Sequence, residues 1–146
     1  MNLQDIKLEL TTAPKAKTAD ESTLGFGMVF SDHMFVMDYD EGKGWHSPVI
    51  KPFGNIEFSP AASGFHYGQE IVEGLKADRC DNDQIFLFRP EENFLRMNRS
   101  AERLSMPQLD VDFAVAALKK LVEIDKDWVP HSDGASLYIR PVMIAT

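Results

Sequence analysis

The sequence predicts an α+β fold made of short, mostly antiparallel strands and two helices in the second half. Before residue 90, apolar residues alternate with polar ones or form short runs, as they do in strands. Between residues 94 and 121 the apolar spacing becomes helical, and the apolar run 136–145 then returns to a strand pattern. Strands, then helices, then a strand is an α+β order rather than a regular βαβ alternation.

The first strands are separated by polar segments. Apolar and charged residues alternate over 6–10, which predicts a short strand, and the small, polar residues of 11–24 predict a surface arm. The aromatic and apolar run 34–40 predicts a second strand. Residues 41–44 then predict a tight turn that leads into a further strand at Trp45.

Prolines interrupt the region that follows. They predict that strands there are short or lie at sheet edges, since proline cannot donate to a strand ladder; the prolines are Pro48, Pro52 and Pro60. Further on, residues 70–77 and 84–89 flank the turn-forming sequence 81–83 and predict a hairpin.

Two helices are predicted after the hairpin. The first has Pro90 just before it and is closed by Pro107, and one apolar face holds Phe94, Met97, Ala101 and Leu104. The second has Asp110 as its N-cap, and its apolar face holds Ala114, Ala117, Leu118 and Leu121. The final strand, 136–145, contains Pro141 and runs almost to Thr146, so we expect a piece of a longer protein.

Composition limits the classes of function. The chain has 146 residues, enough for one domain or part of one, and a net charge of −8, which argues against binding to nucleic acids or anionic membranes. The single cysteine excludes a disulfide framework. We find no apolar run long enough for a signal peptide or a transmembrane helix, and we expect a cytoplasmic protein.

Sequence motifs for metal binding or nucleophilic catalysis are not found. The four histidines lack the paired spacings of zinc sites, so we expect no metal. A Gly-x-Ser-x-Gly elbow is absent, and Ser63 is better explained as a turn residue. Lys76 has acidic neighbours, which favours a surface position over a covalent role.

Arginine and tyrosine residues give weaker indications of binding. Arg96, Arg99 and Arg103 share a side of the first helix, where an arginine could bind phosphate, although a solvated basic face is the more common outcome. Tyr138 and Arg140 share a strand face and could bind a carboxylate, or form an ordinary surface pair.

Four longer motifs resemble the branched-chain amino-acid aminotransferases, which are fold-type IV enzymes dependent on pyridoxal 5′-phosphate (PLP). The motifs occur in the family's order and cover nearly the whole chain. They are FGMVFSDHMFVMDY (26–39), KGWHSPVIKPFGNIEFSPAASGFHYGQEIVEGLKA (43–77), IFLFRPEENFLRMNRSAERL (85–104) and DWVPHSDGASLYIRPVMIAT (127–146).

The resemblance implies the small N-terminal domain of a homodimeric enzyme. Residues 25–146 would form that domain, and residues 1–24 an N-terminal strand and polar arm. The enzyme would move an amino group between leucine, isoleucine or valine and 2-oxoglutarate, with PLP as the electron sink. The catalytic Schiff-base lysine would lie in the C-terminal domain, so these residues contain no catalytic residue and we expect the chain alone to be inactive.

The resemblance also assigns roles to individual residues. Arg96 matches the arginine that binds the cofactor phosphate, and Tyr67 matches an active-site tyrosine. Tyr138 and Arg140 match the pair that recognises substrate carboxylates, and Phe26 matches an aromatic residue that packs on the aliphatic side chain.

One departure from the family pattern and two competing interpretations leave alternatives open. Val72 stands where the family commonly has phenylalanine, which affects the expected specificity. Another fold-type IV enzyme, such as a D-amino-acid aminotransferase or an aminodeoxychorismate lyase, is a competing interpretation. A non-catalytic interaction module that keeps the scaffold is a further one.

Overall fold

Three small sheets and three α-helices make up the computed structural model, which describes residues 2–146. The strands are β1 (Lys7–Leu8), β2 (His33–Asp40), β3 (Gly44–Pro52), β4 (Glu70–Val72), β5 (Leu75–Arg79), β6 (Ile85–Leu87), β7 (Leu137–Ile139) and β8 (Val142–Ile144). The helices are α1 (Ser63–Tyr67), α2 (Pro90–Arg103) and α3 (Val111–Ile124). The predicted α+β class is confirmed.

The first sheet has the order β1-β3-β2, with β2 and β3 antiparallel and β1 parallel to β3. The prediction of short or edge strands is wrong here, because β3 is a nine-residue central strand that contains Pro48. The sheet accommodates this proline because β1 pairs only with residues 49 and 50. On the other side the register with β2 shifts between Val36 and Asp38, opposite the proline, as in a β-bulge.

The predicted strands 70–77 and 136–145 are each divided in two. β4 pairs with β8, while β5 pairs with both β7 and β6. The register is nevertheless continuous, since Val72 faces Val142 and three residues later Leu75 faces Ile139. We call the residues between these pairs, 73–74 and 140–141, the strand gap. Pro141 lies in it and has no N–H to donate, which interrupts the ladder.

The predicted hairpin exists between β5 and β6. Its turn is closed by the backbone N–H of Cys80, which donates to the carbonyl of Gln84 over 2.9 Å. The cysteine itself is exposed. The part of the predicted hairpin that forms β4 instead belongs to the neighbouring sheet.

Both long helices lie where helical spacing predicts them. α2 starts at Pro90 rather than after it, because proline is well accommodated at the first helical position. Phe94, Met97 and Ala101 are buried as expected, whereas Leu104 lies beyond the helix end and is exposed. α3 begins after Asp110, whose Oδ1 accepts a hydrogen bond of 3.1 Å from the N–H of Phe113.

α1 is not predicted as a helix, since the sequence indicates only a turn residue at Ser63. It is a single helical turn that ends at Gly68, with a φ of 61°. Gly64 has no room for a Cβ atom because the side chain of Ile144 occupies that space. α1 is therefore packed directly on β8.

Two buried clusters form the core. The larger one joins α2 and α3 to the paired strands, and includes Ile71, Leu75, Ala77, Phe94, Met97, Ala101, Leu118, Val129 and Met143. The smaller one consists of Ile6, Ile50, Phe113 and Ala117. Because Ile6 lies in this cluster and β1 is paired, the N-terminal strand is part of the packed structure.

The polar arm is attached to the body by buried polar groups. The N–H of Thr11 donates to Nε2 of His33 over 3.0 Å, and the N–H of Lys15 donates to Oδ1 of Asp32 over 2.9 Å. We call the residues that hold the arm and each other the arm-binding cluster: Asp32, His33, Asp125 and Trp128. Within residues 2–146, no helix has the length and apolar character needed to cross a membrane.

Candidate active site

An open cleft of about 330 Å³ lies at the strand gap. Its two sides come from the paired strands and from α2. The lining residues are Val72, Glu73, Gly74, Arg96, Ser100, Tyr138 and Arg140. The interruption of the ladder thus places polar side chains from both strands next to a helix face.

The strongest polar contact in the cleft joins Glu73 and Arg96. The guanidinium donates from Nε to Oε1 over 2.5 Å and from Nη2 to Oε2 over 2.8 Å. The carboxylate side chain is only 4% exposed, whereas the arginine side chain is 59% exposed. This two-point geometry fixes the plane of the guanidinium and leaves its other edge open to the cleft.

Two further groups donate hydrogen bonds to the Glu73 carboxylate. Oε2 also accepts from Nδ2 of Asn93 over 3.2 Å and from the N–H of Gly74 over 3.2 Å. The hydrogen bonds from Arg96, with smaller contributions from Asn93 and Gly74, hold the pKa of the Glu73 carboxyl below its ordinary value despite burial. Glu73 is therefore charged at neutral pH and fully bonded.

Aromatic and basic side chains meet on the other side of the cleft. Nη2 of Arg140 donates to the Tyr138 hydroxyl over 3.2 Å, and the guanidinium lies 5.1 Å from the centre of that ring. Phe26 packs edge-on against the same ring at 4.9 Å. The Tyr138 hydroxyl occupies the position that a Cβ atom on residue 74 would need, so Gly74 is required for this arrangement.

The structure brings four of the five predicted site residues together. Arg96, Tyr138 and Arg140 line the cleft, and Phe26 touches Tyr138. Tyr67 lies on α1, is 85% exposed and has the ring of His66 beside it. Its predicted role remains a prediction.

The other candidates from the sequence lie outside this arrangement. Lys76 is exposed on β5, and Arg99 and Arg103 line a neighbouring shallow groove. No group of three or more metal-binding side chains occurs within residues 2–146.

Local sequence patterns did not indicate Glu73 or Asn93 as part of this polar arrangement. The local signal for Glu73 is a carboxylate placed between an apolar strand and a glycine, where an unpaired charge would be costly. Asn93 lies three residues before Arg96 and therefore shares its helix face.

Comparisons with known proteins agree with these observations. The chain is 55% identical over 141 residues to branched-chain-amino-acid transaminase 1 of Bacillus subtilis, covering 97% of this chain and 39% of the relative. It is 51% identical over 146 residues to aminotransferase 2 of the same organism, covering 100% of this chain and 40% of that relative. The mitochondrial enzyme of Mus musculus is 44% identical over 140 residues, which are 96% of this chain and 36% of that protein.

The chain therefore spans about two fifths of the length of these curated relatives. Among solved structures, the Escherichia coli branched-chain amino acid aminotransferase matches with a TM-score of 0.54 at 20% identity, over 66% of this chain and 30% of that one, which supports the fold. No protein-family model matches the chain. Over nearly its whole length, the chain is homologous to the N-terminal part of the branched-chain amino-acid aminotransferases.

Proposed function

We propose that this chain is the N-terminal part of a PLP-dependent aminotransferase that acts on branched-chain amino acids and 2-oxoglutarate. The observation that carries the proposal is the cleft, where Arg96 of α2 lies beside Tyr138 and Arg140. Homology to branched-chain aminotransferases supports the choice of reaction. The lysine that holds the cofactor covalently would come from outside these residues.

The donor set of the cleft fits the phosphate of PLP. Glu73 engages Nε and one N–H of Nη2, so both N–H groups of Nη1 and the second of Nη2 remain for a ligand. A guanidinium presents these donors in one plane, which suits two oxygens of a phosphate. Bound PLP would supply the electron sink for the substrate α-carbon.

Tyr138 and Arg140 would bind a substrate carboxylate at the opposite side of the cleft. Their contact aligns a hydroxyl and a guanidinium, both of which donate to carboxylate oxygens. Phe26 would pack against an aliphatic side chain beside them. This arrangement would let one pocket accept either an aliphatic substrate or the distal carboxylate of glutamate, and Tyr67 would approach from α1.

The remaining features of the proposal concern assembly and location. We assign residues 25–146 to the small domain and residues 1–24 to an arm that is attached to it. A homodimer would cover exposed apolar side chains such as Phe26 and Phe88. The cytoplasm suits a protein whose single cysteine is unpaired.

The first test is cofactor binding by the natural polypeptide at its native length. Arg96→Ala removes the charged donor set, so we expect PLP affinity to fall by about 1.5–3 kcal/mol in an absorbance titration. Arg89→Ala is the matched control, because Arg89 is an exposed arginine that pairs with Glu92 at the start of α2. Unchanged affinity in Arg96→Ala would contradict the phosphate assignment.

The second test is the amino-donor profile of the same polypeptide. Leucine, isoleucine and valine are expected to be donors to 2-oxoglutarate, and D-alanine is expected to be inactive. Activity toward D-alanine alone would favour a different fold-type IV reaction. A protein that binds neither PLP nor these substrates would favour the interaction module.

A further inference from the structure

The Glu73–Arg96 pair is unusual in the cleft because its two partners differ so much in exposure. The carboxylate is almost completely buried, and every contact around it comes from a donor. The guanidinium is mostly exposed and lines the cleft. The carboxylate therefore serves the guanidinium as an anchor on its buried side.

A lone exposed arginine would not hold one orientation. Its long side chain has several rotatable bonds, and immobilising it costs rotamer entropy. In this protein the cost is met during folding, because Glu73 fixes both Nε and Nη2. A ligand that then binds Arg96 finds its donors already oriented.

We infer that Glu73 is a positioning residue, which holds the Arg96 guanidinium so that its free N–H groups face the cleft and receive the cofactor phosphate. The inference rests on the proposed function. Asn93 and the N–H of Gly74 belong to the same arrangement, since they also donate to the Glu73 carboxylate.

Charge and positioning predict opposite effects when Glu73 is neutralised. A carboxylate next to a phosphate-binding arginine repels the phosphate, so removing the charge alone would strengthen PLP binding. Removing the anchor frees the guanidinium and would weaken PLP binding. In Glu73→Gln one carboxylate oxygen becomes an NH2 group, which cannot accept, so either the contact at Oε1 or the contacts at Oε2 are lost. The sign of the change in affinity therefore separates the two effects.

The experiment is a double-mutant cycle on PLP affinity, measured by absorbance titration of the natural polypeptide. We expect Glu73→Gln to raise the dissociation constant on the order of tenfold when Arg96 is present, and by less than about twofold in the Arg96→Ala background. Glu92→Gln is the matched control, because Glu92 lies on the same helix as Arg96 and pairs with exposed Arg89. Inorganic phosphate, used as a competitor, should report the same pattern.

The outcomes separate this inference from the proposed function. If Arg96→Ala weakens PLP binding but Glu73→Gln strengthens it or leaves it unchanged, only the positioning role is overturned. An equal loss from Glu73→Gln in both backgrounds would indicate a general structural role and also overturn it. A wild type that does not bind PLP overturns both proposals.

A second variant covers the case in which Glu73→Gln does not fold. Asn93→Ala removes one donor from the carboxylate but leaves the charge and the contact with Arg96 in place. We expect a smaller loss of PLP affinity in the same direction, again absent in the Arg96→Ala background. Additive losses would contradict the positioning role.

Discussion

Glu73 and Asp125 are both buried carboxylates that bind a basic side chain, and their partners differ. Asp125 accepts from the N–H and Nδ1 of His33, and both side chains of this pair are less than 10% exposed, at 3% and 7%. Glu73 instead binds Arg96, whose side chain is 59% exposed at the cleft. A buried carboxylate with buried partners holds the fold together, whereas one with an exposed cationic partner holds that cation at the surface of the cleft.

The hydrogen bonds of His33 explain why the arm-binding cluster offers no ring nitrogen to a ligand. Nε2 accepts from the N–H of Thr11, so the proton of the neutral ring lies on Nδ1 and is donated to Asp125. The ring has no nitrogen left for a ligand. The arm-binding cluster therefore has a structural role, which the first prediction tests.

The largest effect is expected from Asp125→Ala. The change leaves the N–H and the Nδ1–H of His33 buried without an acceptor, and we expect a loss of about 3 kcal/mol in the free energy of unfolding. Urea denaturation measures this loss. Glu92→Ala, which breaks an exposed ion pair, should cost less than about 1 kcal/mol.

The PLP affinity of Asp125→Ala tests whether the arm-binding cluster and the cleft have separate roles. PLP affinity of folded Asp125→Ala should match that of the wild type, because the arm-binding cluster does not line the cleft. A loss of affinity comparable to that of Arg96→Ala would contradict the division between a structural and a ligand-facing carboxylate.

An intermediate effect is expected from Gly74→Ala. The new Cβ atom would overlap the Tyr138 hydroxyl, so the tyrosine must move away from Phe26 and Arg140. We expect a loss of about 1–2 kcal/mol in the free energy of unfolding. Gly54→Ala is the control, since that glycine has open space around it.

A second change tests the cause of this loss. Tyr138→Phe removes the oxygen nearest to the new Cβ atom, so it should recover part of the stability in the Gly74→Ala background. If the double variant is no more stable than Gly74→Ala, the overlap with the hydroxyl is not the cause.

The smallest expected effect is a change in the free energy of unfolding with pH. The pKa of Glu73 lies below its ordinary value of 4.5, chiefly because Arg96 donates to the carboxylate. The stabilisation is therefore complete above the ordinary pKa and is lost as the pH falls through the lower, folded-state pKa. The difference in unfolding free energy between wild type and Glu73→Gln should narrow as the pH falls below the ordinary pKa of 4.5.

Chemical denaturation at several pH values measures this narrowing. A constant difference for Glu73→Gln would show that the charge of Glu73 contributes nothing to stability.

Local patterns in the sequence predicted the parts of the fold that depend on near neighbours. Apolar spacing located α2 and α3, and the Asp110 cap follows from one residue and the N–H three positions later. The fold class and the order of elements follow from these patterns. The division of the strands at Pro141 was not predicted, because it depends on which strands pair across the chain.

Contacts between distant residues were beyond local patterns. Glu73 and Arg96 are separated by 23 positions, and His33 and Asp125 by 92. Resemblance to a family indicated Arg96 as a site residue and Tyr138 with Arg140 as a pair, but it offered no partner for Arg96. The contact between Glu73 and Arg96 depends on the packing of α2 against the residues that follow β4, which local patterns do not predict.

The unbroken register across the strand gap bears on how such a protein can change over evolutionary time. In most strand pairs, a shift of one residue moves every following side chain to the opposite face. Here the pairs on both sides of the gap are set by β4–β8 and by β5–β7 separately. A substitution in the strand gap, such as one at Arg140, can therefore accumulate in a lineage without displacing either sheet, so the cleft can diverge while the scaffold is inherited unchanged.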